Sequence, residues 1–189
     1  MKKDQTVSSP NEKLILVDKN DRKIGQVTKQ GAHQGRGLLH RAFSVFLFND
    51  QKQLLLQKRS LKKPLWPGFW ANSCCSHPRA GEELEEAVHR RLEQELNVST
   101  VVHYLYKFEY KASFKDVGTE HELCSVWLGH VRKKDIEFNR EEISEIKYVP
   151  IENMEKELAR NSDLYTPWLK LEWKTIQSEH LERVLSIIA

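Results

Sequence analysis

One run of residues constrains this chain more than any other. Over residues 82–96, Leu84, Val88, Leu92 and Leu96 recur every fourth position, so a helix there carries a single apolar stripe. A stripe of that kind has to be buried against a partner surface. Pro78 and Gly81 precede the run, and Glu82, Glu83, Glu85 and Glu86 open it, which suits a helix N-terminus. Most of those carboxylates read as a solvated face. Arg91 and Glu95 stand four apart and share a side of the helix. Glu95 lies late in the helix, where the dipole disfavours an anion, so its partner is either Arg91 or a metal ion.

The partner surface is a sheet. Residues 101–113 alternate, with Tyr104, Tyr106, Phe108 and Tyr110 on one side, and predict a long strand. Residues 123–131 and 147–149 predict two more. Residues 14–17 and 24–27 read as a hairpin about Asp18 to Asp21, and residues 42–48 and 53–58 as a second hairpin about Asn49-Asp50. A Gly-rich loop over 31–37 carries His33, and Pro64, Pro67 and Gly68 break residues 61–70 into another loop. Residues 151–160 and 167–188 predict helices, and residues 1–11 a flexible polar tail. With no repeat, linker or low-complexity segment, the expectation is one α/β (α+β) domain over residues 1–189, a mixed β-sheet flanked by helices.

Composition narrows the partners. Hydrophobic residues make up 39% and charged residues 30% of 189, as in an ordinary soluble protein with one core. A net charge of +3, with Lys and Arg spread along the chain, is too mild to imply a nucleic-acid or membrane partner. Of the three cysteines, Cys74 and Cys75 are adjacent, a spacing that disulfide geometry disfavours. An odd count without a framework points to a reducing compartment. The first ten residues lack an apolar signal-peptide core, and no apolar run approaches the ~18 residues of a membrane span. A cytoplasmic location and a small-molecule partner are the expectation; the oligomeric state is open, with a monomer as default.

The residues that can carry chemistry gather in two stretches. In Asn72-Ser73-Cys74-Cys75-Ser76-His77 a thiol stands two residues before an imidazole, just past the aromatic turn Trp66-Pro67-Gly68-Phe69-Trp70. In Glu120-His121-Glu122 two carboxylates alternate along a strand and point the same way. Aligned carboxylates repel unless something positive lies between them, and a divalent cation would answer that. His33, His40 and His77 with Glu120 and Glu122 make an N/O ligand set suited to Mn²⁺, Zn²⁺, Fe²⁺ or Mg²⁺. A solvated acidic strand end accounts for the same spacing equally well. Arg59, Lys62 and Lys63 are an ordinary solvated charge run, or, beside a metal, a phosphate grip.

The segment from Trp66 to His77, together with His33, His40 and Glu120-His121-Glu122, closely resembles type I isopentenyl diphosphate isomerase. The resemblance covers residues 14 to 175. It implies a Nudix fold, and the chain carries an eroded version of the Nudix box. Ser76 stands at the first Gly of the box and Glu82 at its first Glu. Arg90-Arg91-Leu92-Glu93-Gln94-Glu95-Leu96-Asn97-Val98 stands where Arg-Glu, an apolar residue, any residue, Glu-Glu, any residue, Gly and an apolar residue are usual. Of the metal-binding carboxylates only Glu95 remains, which argues against hydrolysis.

Residue by residue, the resemblance implies Cys75 and Glu122 as the catalytic pair, with Tyr110 hydrogen-bonding the glutamate. It implies His33, His40, His77, Glu120 and Glu122 as ligands of one divalent metal, Mn²⁺ or Mg²⁺ with Zn²⁺ as a further option. Glu95 matches a carboxylate associated with a second Mg²⁺, held together with the substrate diphosphate. Lys29, Arg59, Lys63 and Arg91 match diphosphate contacts, and Trp168 an aromatic facing the hydrocarbon. Cys74 has no implied role. The implied reaction interconverts isopentenyl and dimethylallyl diphosphate by adding a proton to the alkene and removing another two carbons away, a step in isoprenoid biosynthesis. A Nudix hydrolase acting on a nucleoside diphosphate derivative, and a catalytically silent diphosphate-binding module, are the rival readings.

Overall fold

A computed structural model of the chain describes residues 5–188. In chain order its elements are β1 (Lys13–Val17), β2 (Lys23–Thr28), α1 (Lys29–His33), β3 (His40–Phe48), β4 (Gln53–Arg59), β5 (Trp70–Ala71), β6 (Cys74–Ser76) and α2 (Leu84–Leu96). There follow β7 (Val102–Phe114), β8 (Gly118–His130), β9 (Ile143–Pro150), α3 (Met154–Arg160), α4 (Pro167–Thr175) and α5 (Leu181–Ile187).

β3 organises the sheet. It runs parallel to β8 along its whole length, from His40↔Glu122 to Phe48↔His130. A strand has two edges, so its other neighbours share the opposite one: β1 at Leu16↔His40, β6 from Phe43↔Ser76 to Val45↔Cys74, and β4 at Phe48↔Leu54. β4 carries the sheet on to β9, and β8 pairs antiparallel with β7. The sheet is mixed, as the alternating strands and the intervening helix predict.

β3 is buried nearly throughout, because both faces of the sheet are covered. Phe43, Val45 and Leu47, with Leu55 of β4, pack against Ala87, Val88, Leu92 and Leu96 of α2. Phe46 and Phe48, with Leu54 and Leu56, pack against Leu169, Trp173, Ile176 and Val184 from the C-terminal helices. Thus the apolar stripe of α2 is satisfied by one set of alternate residues, and the other set looks toward the C-terminal layer. Asn97 ends α2 in the left-handed conformation, φ 55°, with its N–H bonded to the Glu93 carbonyl.

Several elements differ from their sequence expectation, each for a local reason. The Gly-rich stretch is not all loop: Thr28 caps α1, its hydroxyl accepting from the Gly31 N–H at 3.1 Å. Past α1 the chain turns back through Gly35 and Gly37, with φ of +58° and +67°. α1 lies so close to the start of β8 that a Cβ at Gly118 would meet the His33 carbonyl oxygen at 2.7 Å. β8 itself begins at Gly118 rather than Leu123, so Glu120 and Glu122 are inside the strand. The aromatic alternation of β7 breaks at a bulge between Tyr104 and Tyr106, which turns Tyr104 onto Trp127 while Leu105 goes inward. The helix expected over 167–188 is α4 and α5 joined by a π-helical turn, Ile176–His180.

The tail expected over 1–11 falls in part outside the described residues. Within them, the Val7 N–H donates to Glu142 at 3.3 Å and Asn139 Nδ2 donates to the Gln5 carbonyl at 2.7 Å. No helix among the described residues is long and apolar enough to cross a membrane.

Replacing a stripe residue should be costly. We expect Leu92→Ala to lower the unfolding free energy by about 2–5 kcal/mol, the range for emptying a leucine site in a packed core. Urea denaturation checks this; a loss under about 1 kcal/mol would show that α2 is not seated as described.

Candidate active site

The register of the sheet gathers the chemistry onto one face. His40, Ala42 and Ser44 alternate along β3 and share a side, and their cross-strand partners share it with them: Glu122 and Cys124 on β8, Cys75 on β6. Tyr110 of β7 pairs with Glu122 and joins the same side. Cys74, one residue from Cys75, pairs with Val45 and falls on the opposite face, in the core beneath α2. Because β6 and β8 occupy opposite edges of β3, Cys75 and Glu122 approach the site from two sides.

They open into a cavity of about 620 Å³. Its lining includes Cys75, His77, Tyr110, Glu120, Glu122 and Trp168. Lys29, Lys63 and Arg91 line it where Ser8 and Glu142 bring them together, and Arg59 lines it against Trp168.

His33, His40, His77, Glu120 and Glu122 each offer a ligand atom, and the five atoms lie within 4.8 Å of one another. The three imidazole centroids are 4.9 to 5.3 Å apart. His33 Nδ1 is bonded to the Lys29 carbonyl at 2.6 Å and His40 Nδ1 to the Leu38 carbonyl at 2.7 Å. Both rings therefore keep Nε2 for the cluster, the arrangement of a metal-ligating histidine whose second nitrogen is held by the main chain. His40 Nε2 is buried and has no hydrogen-bond partner. An unsatisfied imidazole nitrogen aimed at two carboxylates fits a divalent cation and costs free energy without one. His33 Nε2 stands 2.6 Å from Glu120, and His77 Nε2 2.9 Å from Glu122.

The electrostatics follow from this crowding. Burial drives His40 down to about 4, with the charge of His33 adding to it, and burial also drives His77 well down. Burial alone would raise Glu120, but His33 outweighs it and holds that carboxyl at about 2. Glu122 goes the other way: burial and the neighbouring Glu120 push it well up, although the Tyr110 hydroxyl, donating at 2.7 Å, favours its charged form. Desolvation, with the charge of Glu172 behind it, pushes the Cys75 thiol up, so it stays protonated at neutral pH. That thiol donates to Asn72 Oδ1, and Trp168 Nε1–H donates to the same oxygen and to the Cys75 sulfur, at 3.2 Å each. Trp168 thus turns its polar edge to Cys75. The Arg59 guanidinium lies 5.2 Å from the ring centroid, and Trp66 meets it edge-on at 5.2 Å.

Two of the basic residues, Lys63 and Arg91, meet at a buried carboxylate that the sequence reading missed. Glu142, 2% exposed, accepts from Lys63 Nζ and from Arg91 at 3.4 Å. Arg91 is also bonded to Glu95, which stays with Arg91 and Gln57 and is not among the five clustered ligands. Arg59 donates to the carbonyls of Leu65 and Trp66, which pins the Trp-Pro turn. Burial lowers Lys29 to about 8, with Lys63 and Arg91 adding to it. Glu142 had no signal in the sequence, since nothing periodic marks a loop carboxylate. Glu172 had one: it falls among Trp168, Leu169, Trp173 and Ile176 on the buried side of the C-terminal helices, where burial raises it to about 8.

Comparison with known proteins adds a lineage. The NUDIX domain family matches residues 38–169. Isopentenyl-diphosphate Delta-isomerase 1 of Photorhabdus laumondii is 41% identical over 175 residues, covering 92% of this chain and 99% of its own. The isopentenyl-diphosphate Delta-isomerases of Serratia proteamaculans and Pectobacterium atrosepticum are 38% and 35% identical, covering 92% and 90% of this chain and 96% and 98% of theirs. A crystal structure from Deinococcus radiodurans aligns with a TM-score of 0.65 at 26% identity, covering 79% of this chain and 90% of its own. A MutT protein of Methanosarcina mazei aligns at 0.61 and 18%, covering 75% and 94%, which is a likeness of fold alone.

Two outcomes test this geometry. Mn²⁺ should raise the melting temperature of the purified chain, and the rise should be lost in His40→Gln; equal shifts in both would remove His40 from the ligand set. For Glu142, burial acts to raise the carboxyl, but Lys63 and Arg91 pull it from 4.5 to about 2. A carboxyl depressed in the folded state stabilises above its unfolded value, and that contribution disappears as pH falls from about 4.5 toward 2. Urea titrations should therefore show a shallower acid loss for Glu142→Gln than for the wild type over that window.

Proposed function

This chain belongs to the NUDIX family and, within it, to the isopentenyl-diphosphate Delta-isomerases, and from that premise we propose how its cavity carries out the allylic proton shift. The enzyme interconverts isopentenyl and dimethylallyl diphosphate. The observation that carries the reading is that a half-buried thiol and a tyrosine-bonded carboxylate enter one cavity from opposite edges of β3, the carboxylate as part of a three-histidine, two-glutamate cluster.

Moving the double bond requires a proton to be added at the terminal alkene carbon and another to be taken two carbons away. The cationic character that develops between those events is quenched by water, so the two groups must act in a shielded space. Cys75 and Glu122 are the pair. Cys75, kept as a thiol and oriented by Asn72 and Trp168, holds its proton against the alkene. Glu122, oriented by Tyr110, faces it. Either group can give the proton while the other receives one, and the reverse reaction exchanges their parts. After a turnover the donor has lost a proton and the acceptor has gained one.

The ring of Trp168, and of Trp66 beside it, makes an electron-rich wall. Such a wall stabilises a nearby cation by roughly 0.5–2 kcal/mol, a small part of the barrier, so most of the effect must come from positioning and fixed charge. A divalent ion held by His33, His40, His77, Glu120 and Glu122, Mn²⁺ or Mg²⁺ in our reading, would supply positive charge that governs the protonation of Glu122. Lys29, Arg59, Lys63 and Arg91 grip the diphosphate and use that binding to hold the alkene between Cys75 and Glu122. Glu95, paired with Arg91 beside that grip, would be the carboxylate to hold the Mg²⁺ that accompanies the substrate. The box residues Arg91 and Gln94 stand where a hydrolase would carry carboxylates, which disfavours water activation.

The experiment is turnover of isopentenyl diphosphate in deuterated water with Mg²⁺ and Mn²⁺, followed by NMR. Dimethylallyl diphosphate carrying deuterium is the expected product; released phosphate would replace the isomerase with a hydrolase. Cys75→Ala and Glu122→Gln should each lose activity by orders of magnitude with circular dichroism unchanged. Cys74→Ala, on the other face of β6, should keep it.

A further inference from the structure

We infer that Ser8 is a substrate-positioning residue, and that residues 8–10 form the wall of the cavity where it takes the diphosphate. This deepens the reading above and rests on it.

Ser8, Ser9 and Pro10 line the cavity together with Lys29, Lys63 and Arg91. Ser8 Oγ sits among the charged groups themselves. It lies 3.4 Å from Lys29 Nζ, 3.3 Å from Arg91 NH2 and 3.3 Å from Glu142 Oε2. Two of these neighbours are donors and one is an acceptor, so the hydroxyl can accept from Lys29 or Arg91 while donating to the anion.

The segment is held from both sides. Toward α2, the Val7 N–H donates to Glu142 and the Val7 carbonyl accepts from Arg91 NH1 at 3.2 Å. Toward α1, the Lys29 N–H donates to the Glu12 carbonyl at 2.8 Å and the Gln30 N–H to the Pro10 carbonyl at 3.0 Å. Residues 7–12 therefore tie together the helix that carries Arg91 and the helix that carries Lys29 and His33. Ser9 keeps the bend compact, its Oγ accepting from the Asn11 N–H at 3.2 Å.

Charge decides what this wall faces. Lys29, Lys63 and Arg91 are set against two buried carboxylates, Glu142 and Glu95, which leaves a positive balance at the cavity surface. Glu142 holds the position between Lys63 and Arg91 that an oxyanion would take. An entering diphosphate presents its oxygens to those cations, and the Ser8 hydroxyl then has a phosphate oxygen in place of Glu142 as its acceptor. A hydroxyl donated to a charged oxygen is among the stronger neutral-to-ion hydrogen bonds.

The test uses the full chain as wild type, Ser8→Ala and Ser8→Thr. Two measurements are made on each: calorimetric affinity for inorganic pyrophosphate with Mg²⁺, and KM and kcat for isopentenyl diphosphate. We expect Ser8→Ala to weaken pyrophosphate roughly 3- to 10-fold and to raise KM by a similar factor while kcat stays within about twofold, and Ser8→Thr to restore both. Unchanged affinity in Ser8→Ala overturns the proposal. So does equal damage in both variants with kcat falling alongside KM, since that marks Ser8 as structural only. If the wild type binds pyrophosphate but makes no dimethylallyl diphosphate, the isomerase reading has failed, and the pyrophosphate affinities of the variants still decide the role of Ser8.

Discussion

The parallel pairing of β3 with β8 is the constraint on which everything else in this molecule depends. It fixes His40 opposite Glu122 and Ser44 opposite Val126. Because side chains alternate with a period of two, that single register assigns every residue of both strands to a face. One face receives α2; the other receives the cavity and, further along, the C-terminal helices. A slip of one residue would turn Glu122 away from the cavity and bring Leu123 toward it. The apolar burial that holds the register also brings Cys75, Tyr110 and Glu122 to one cavity, so folding energy and the geometry of the proposed acid–base pair share one origin.

Much of this was legible in the sequence. The stripe of α2 and the alternation of β7 stand out because a surface helix and a half-buried strand impose simple periods. Glu120 and Glu122 were placed on one side by the same reasoning. What the sequence conceals is whatever depends on contacts between distant segments. The bulge at Leu105 alters which tyrosines share a side, and no residue type at 104–106 announces it. The helix α1 depends on a cap from Thr28 inside a Gly-rich stretch that local propensity reads as loop. Glu142 and Ser8 acquire meaning only when loops 134 residues apart meet over Arg91. The roles proposed for Cys75 and Glu122 come from the resemblance to a known family, since spacing alone allows several readings.

The cavity shows a division of labour between its ends. At the metal end, burial is severe and the groups tune one another by desolvation and like-charge crowding. Among the basic residues, Glu142 and Glu95 hold Lys63 and Arg91 in place through three ion pairs, with which a diphosphate would have to compete. Between them lies an aromatic wall of Trp66, Tyr110 and Trp168. A substrate with a charged head and a short hydrocarbon tail matches that sequence of environments from one end to the other.

Lys29 belongs to both ends at once. Its carbonyl fixes the tautomer of His33, and its ammonium reaches Ser8 in the basic part of the cavity. Since the first job is done by the main chain, it does not depend on which side chain residue 29 carries. His40 takes its orientation from the Leu38 carbonyl in the same way. The orientation of these imidazoles is therefore insulated from side-chain substitution at the very positions that set it. Evolution can change the side chain at residue 29, and with it the charge of the cavity lining, while the imidazoles a few ångströms away keep their aim.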